Sequence, residues 1–86
     1  MKEKAKKLTI SDFNSGKTEK FEAVFKDGKS KISVELYKDL GIYFVDYVNE
    51  KNNEDSHTYS FGSLSQARSV FNDKVKISKF KIKEEI

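Results

Sequence analysis

The 86-residue sequence predicts an α+β domain: an antiparallel sheet of about four to five strands with one helix packed on one face. Three observations carry this. Residues 19–48 alternate apolar and polar side chains, which is strand periodicity. Asp27-Gly28 divides two of the alternating runs, a hairpin signal. Beyond residue 63, Leu64, Ala67, Val70 and Phe71 recur at helical spacing.

In the first run, Phe21, Ala23 and Phe25 occupy every second position. A two-residue turn at Asp27-Gly28 sets Ala23 opposite Ile32, Phe21 opposite Val34, Lys20 opposite Glu35 and Glu22 opposite Ser33. Apolar residues then meet on one face and opposite charges on the other. The next turn is Lys38-Asp39-Leu40-Gly41. A four-residue connection there pairs Leu36 with Tyr43, Val34 with Val45 and Ile32 with Tyr47. A slip of one residue would bury Asp46, so parity excludes it. The predicted inner face is Phe21, Ala23, Phe25, Ile32, Val34, Leu36, Tyr43, Val45 and Tyr47.

The outer face holds Lys20, Glu22, Lys31, Ser33, Glu35 and Asp46, and also Val24, Tyr37, Ile42, Phe44 and Val48. The third run is apolar on both sides apart from Asp46, the pattern of a central strand covered on both faces. A polar, acidic loop over 49–56 precedes His57-Thr58-Tyr59-Ser60-Phe61, which alternates and reads as a fourth strand whose register is open. Ser63-Leu64-Ser65-Gln66 fits a capping box, so the helix begins at 64 and runs to about 74, where Asn72-Asp73 weakens it. Over 75–83 two readings are open, a fifth strand with a bulge or a continuation of the helix, and the β-branched alternation favours the strand. Leu8-Thr9-Ile10 reads as a short edge strand.

The chain is expected to form a single domain, residues 1–86, with 1–7 a flexible Lys-rich tail. Apolar residues and charged residues each make up 36%, so the core is thin, and seven Phe and four Tyr supply much of its area. The protein is basic, with net charge +3, but the charge is divided. Residues 1–7 carry four Lys and one Glu, and residues 74–86 five Lys and two Glu; the remainder holds eight basic and eleven acidic residues. There is no cysteine, no signal-like apolar run and no segment long enough to span a bilayer, which leads us to expect a cytoplasmic protein with no membrane partner.

Candidate chemistry is sparse. Asn14-Ser15-Gly16-Lys17-Thr18 ends like a phosphate-binding loop, but Ser11 stands where the first glycine is required and a strand follows where a helix is required. Asp55-Ser56-His57 contains the residue types of a hydrolase triad, yet neighbours on an extended chain point apart. His57 is the lone histidine, and Glu50, Glu54 and Asp55 lack a calcium-loop pattern. Glu19, Glu22, Glu35 and Asp46 read as ordinary surface charge. We therefore expect no catalytic residue, no metal and no cofactor.

Two binding readings remain. The first is a protein partner engaged by the apolar outer face, Val24, Tyr37, Ile42, Phe44 and Val48, unless the segment 8–13 or the C-terminal segment folds over it. A homodimer through this face or the sheet edges would serve equally. The second is nucleic acid, bound by Lys74, Lys76, Lys79, Phe80, Lys81 and Lys83. Small, free of cysteine, rich in Lys and Asn and without a catalytic constellation, the chain resembles in general look the accessory proteins of bacteriophage and other mobile elements. That resemblance implies an inhibitor or adaptor acting by occupying a host protein's surface.

Overall fold

The structure, a computed structural model, describes residues 7–84; the predicted tail over 1–7 lies, except for Lys7, outside them. Along the chain come α1 (Ile10–Asn14), β1 (Glu19–Val24), β2 (Lys31–Asp39), β3 (Ile42–Asn49), a 3-10 turn (Asn53–Asp55), β4 (His57–Phe61) and α2 (Leu64–Glu84). The strands pair in sequence order as an antiparallel meander, and α2 packs across all four.

The β1–β2 register is the predicted one, with Phe21 opposite Val34 and Ala23 opposite Ile32. The connection is longer than the predicted two-residue turn. The Phe25 amide donates to the Ser30 carbonyl at 2.8 Å and closes a loop over residues 26–29. Inside it, one Asp27 oxygen accepts from the amides of Lys29 and Ser30.

The β2–β3 register corrects the prediction. Leu36 pairs with Val45, Val34 with Tyr47 and Ile32 with Asn49, two residues away from the expected pairing. The strands run on to Asp39 and Ile42 and are joined by Leu40-Gly41 alone. Both turn residues have positive φ, 51° and 78°, as a type I′ hairpin requires. A shift of two preserves which side chains face inward, so parity fixed the faces and left the register free. Ile32, Val34, Leu36, Tyr43, Val45, Tyr47 and Phe25 are all buried, whereas Phe21 and Ala23, on the edge strand, are half-buried.

The N-terminal segment is a helical turn, not the predicted edge strand. Thr9 and Asp12 form a reciprocal capping box: the Asp12 amide donates to the Thr9 hydroxyl oxygen, and the Thr9 amide to the Asp12 carboxylate. The motif Thr-x-x-Asp is the sequence signal for it. α1 sends Phe13 into the inner-face core, edge-on to Tyr43 at 5.9 Å.

The predicted strand over 75–83 is helix, and Asn72 and Asp73, both exposed, do not interrupt it. The inward-facing set extends as Phe71, Val75, Ser78 and Ile82, spaced four, three and four, which is helical periodicity. Ser78 is wholly buried, and its hydroxyl donates back to the Lys74 carbonyl at 2.7 Å, so the small side chain leaves no unpaired polar atom. At the other end Ser63 caps α2 by accepting from the Gln66 amide at 3.3 Å. Gln66 receives the Ser63 hydroxyl rather than reaching the Ser63 amide.

Candidate protein-binding face

Both helices lie on the inner side of the sheet, and among the described residues nothing covers the outer side. Neither the segment 8–13 nor α2 folds over it. β3 is central, as predicted, but it is covered on one face only.

The shifted register decides how the outer residues are grouped. Tyr37 sits opposite Phe44, with Asp39 and Ile42 in the next pair toward the turn. The Tyr37 and Phe44 rings stack with centroids 5.3 Å apart and planes 19° apart. Ile42 is 42% exposed. On the other side of this trio runs a polar row, Lys20–Glu35–Asp46–Thr58. Val48 lies beyond that row, opposite Ser33, and Val24 lies at the edge, opposite Lys31. The five residues expected to form one patch therefore divide: Tyr37, Ile42 and Phe44 together, Val24 and Val48 apart.

The turn adds a residue that the sequence reading passed over. Leu40 is 92% exposed and adopts a left-handed backbone, φ 51°. Such a conformation costs an L-residue about 1–2 kcal/mol, and Asn or Gly is the ordinary occupant. A leucine at the first central position of a type I′ turn is thus unfavourable twice, in backbone strain and in exposed apolar area. A Leu-Gly pair between two alternating runs was the available signal.

Electrostatically the trio is bordered by Asp39, Glu35 and Asp46, with the Thr58 hydroxyl donating to Asp46 at 2.7 Å. Burial, and then the adjoining Asp46 carboxylate, push the Tyr37 hydroxyl above the ordinary phenol range. It therefore stays a protonated donor. The arrangement offers aromatic and aliphatic anchors beside a line of carboxylates.

The other candidates are dispersed. Gly16, φ 92°, terminates α1, its amide donating to the Phe13 carbonyl, while Lys17 pairs with Asp12 at 3.7 Å. Asp55, Ser56 and His57 do not converge. Asp55 Oδ2 accepts from the Tyr47 hydroxyl (2.9 Å), the Asn49 side-chain amide (3.1 Å) and Lys81; Ser56 accepts from the Asn49 backbone amide; the His57 ring lies against Tyr59. Among the described residues no group of three or more His, Cys, Asp or Glu could hold a metal ion. Glu19 is not surface charge: its parity is that of Phe21, and it lies inward on Arg68.

The basic C-terminal run is distributed round α2. Lys81 is held by Asp55, and Lys74 lies over the rings of Tyr47 and Tyr59, 5.0 Å from each. Lys79 reaches Phe21 at 5.7 Å. Lys76, Lys79 and Lys83 share the exposed side with Phe80, which is 62% exposed.

Four carboxylates, Asp12, Glu22, Asp27 and Asp55, are held below the ordinary range. Donation from the Lys29 amide, then the Ser30 amide, holds Asp27 down at about 2. Burial opposes ionisation of Asp55, but hydrogen bonds from Lys81, Asn49 and Tyr47 outweigh it and lower its carboxyl below the usual range. A carboxylate with a depressed folded-state value stabilises the fold above its unfolded value, near 4, and that contribution is lost as pH falls through the folded one. The thermal midpoint should thus change little between pH 7 and 5 and fall between about pH 4 and 2. Thermal melts followed by circular dichroism test this, and Asp27→Asn should shrink the fall; a principal loss above pH 5 would contradict the assignment.

Comparison with protein-family profiles, with curated proteins and with solved structures finds no match for this chain.

Proposed function

We propose that this protein is a non-enzymatic binding module. It engages a protein partner through the β2–β3 hairpin tip and the adjoining outer face, with Leu40, Ile42, Tyr37 and Phe44 as anchors. The observation that carries this reading is Leu40, an apolar side chain in full solvent on a backbone that disfavours it. Strain of this kind collects at functional positions, and rigid aromatic side chains beside it supply contact area at low entropic cost. The partner offers an apolar pocket ringed by Lys or Arg, matching Asp39, Glu35 and Asp46. A homodimer through this face fits less well, because that carboxylate line is part of the surface each copy would present. Action as an inhibitor or adaptor in the cytoplasm follows naturally from a surface that only occupies.

A second reading, nucleic-acid binding, draws support from Lys76, Lys79, Lys83 and Phe80 on the exposed side of α2. It draws none from Lys74 and Lys81, which already serve Tyr47, Tyr59 and Asp55.

Affinity capture from a lysate of the source cell, with and without nuclease, separates the two. The first reading expects a partner that survives nuclease and is lost, by about 100-fold or more in affinity, when Tyr37→Ala and Phe44→Ala are combined. Retention of the partner by the double variant defeats it; loss on nuclease treatment alone favours the second.

A further inference from the structure

We infer that the β1 edge is a second docking site, one that accepts an extended, acidic peptide as an added strand. The inference rests on the reading of the chain as a binding module, but not on the outer-face contact.

The backbone comes first. Phe25 and Ser30 form a hydrogen-bonded pair, so by antiparallel alternation Ala23, Phe21 and Glu19 bond to β2. The N–H and C=O groups of Lys20, Glu22 and Val24 then point away from the sheet. β1 is terminal in the strand order, and no other described strand takes up those groups. An extended chain is the ligand that satisfies a row of donors and acceptors at strand spacing.

The side-chain environment matches. Between β1 and α2 lies a cleft of about 360 Å³, floored by Leu8, Phe21, Phe71 and Val75. Lys20 also lines it, although its ammonium group lies on the opposite face with Glu22 at 3.3 Å. The cleft therefore opens at the strand edge, where inward-pointing side chains of an added strand would fall. Its volume suits one or two apolar side chains. Lys79 stands at the Phe21 ring with no carboxylate partner among the described residues. The Lys20 ammonium is already taken up by Glu22, so it is Lys79 that tips the site toward an acidic strand.

The test is a titration of ¹⁵N-labelled protein with capped octapeptides that alternate leucine with glutamate, and a matching set that alternates leucine with lysine. The acidic set should move the amide signals of Lys20, Glu22 and Val24 saturably, slow their hydrogen exchange, and bind about 10-fold tighter than the basic set. Glu22→Pro deletes an edge-facing donor without touching the β1–β2 ladder, and should weaken binding about 10-fold, as should Lys79→Glu. Phe44→Ala should leave it unchanged, so failure here and failure of the outer-face contact are distinguishable. Shifts confined to His57–Phe61 or to the outer face, no saturable shift up to about 1 mM, or equal binding by Glu22→Pro would overturn the proposal. If the proline variant does not fold, the shift map and exchange rates of the unaltered protein decide.

Discussion

Arg68→Ala is expected to destabilise the fold by about 3 kcal/mol, the cost of breaking a buried ion pair from one side, and to lower Tm by roughly 15 °C in a chain of this size. Arg68 is the sole arginine. One terminal nitrogen donates to both Glu19 oxygens, at 2.7 and 2.6 Å, and the other to the Leu8 carbonyl at 2.8 Å. Glu19 also accepts from the Leu8 amide at 2.8 Å. Both charged side chains are largely buried, 15% and 13% exposed. The pair thus fastens three separate segments: the first half of α2, the start of β1 and the chain entering α1. Removing the guanidinium leaves the Glu19 carboxylate in an apolar setting without its main partner. Arg68→Lys should recover only part of the loss, because an ammonium group cannot reproduce the planar fork. Replacing the pair together by Met and Leu should recover more than either single change. Urea melts measure all four proteins; a loss under about 1 kcal/mol for Arg68→Ala would show that the pair is solvent-screened.

That clamp shows where sequence reasoning stopped. Glu19 has inward parity, but its partner is 49 residues away on another element, and nothing local links the two. The β1–β2 register was legible from alternation and Asp27-Gly28, although the connection is a four-residue loop and not the two-residue turn. The β2–β3 hairpin was half legible. Alternation has a period of two, so it assigns faces but is blind to a shift of two, and Leu40-Gly41 is a weaker marker of a two-residue turn than Asn-Gly or Asp-Gly. The consequence reached the candidate site, since the shift sets Tyr37 opposite Phe44 and Asp46 opposite Glu35, which completes the charged row between Phe44 and Val48. The C-terminal half of α2 was misread for a related reason. Ile77 and Val75 favour strands locally. What holds the segment as helix is tertiary: Ser78 buried against the sheet and Lys81 on Asp55, in the loop before β4.

Leu40→Asn should raise stability and weaken partner capture in the same molecule. Asparagine tolerates the left-handed backbone that leucine resists, and Asn-Gly is the favoured pair for this turn. A gain of about 1 kcal/mol, or roughly 4–8 °C in Tm, is expected. The side chain makes almost no contact with the rest of the protein, being 92% exposed, so its removal opens no cavity. If Leu40 is an anchor, its loss costs at least about 10-fold in affinity for the partner. Opposite signs make the result hard to imitate, because a variant that binds badly through misfolding would also melt early. Leu40→Ala provides the complementary case: it keeps a Cβ in the strained position and so should leave Tm nearly unchanged while still losing affinity. Trading stability for function at one position is what a strained contact residue predicts. A stabilised Leu40→Asn protein that captures its partner undiminished would assign the strain to the turn alone and return the contact to Tyr37 and Phe44.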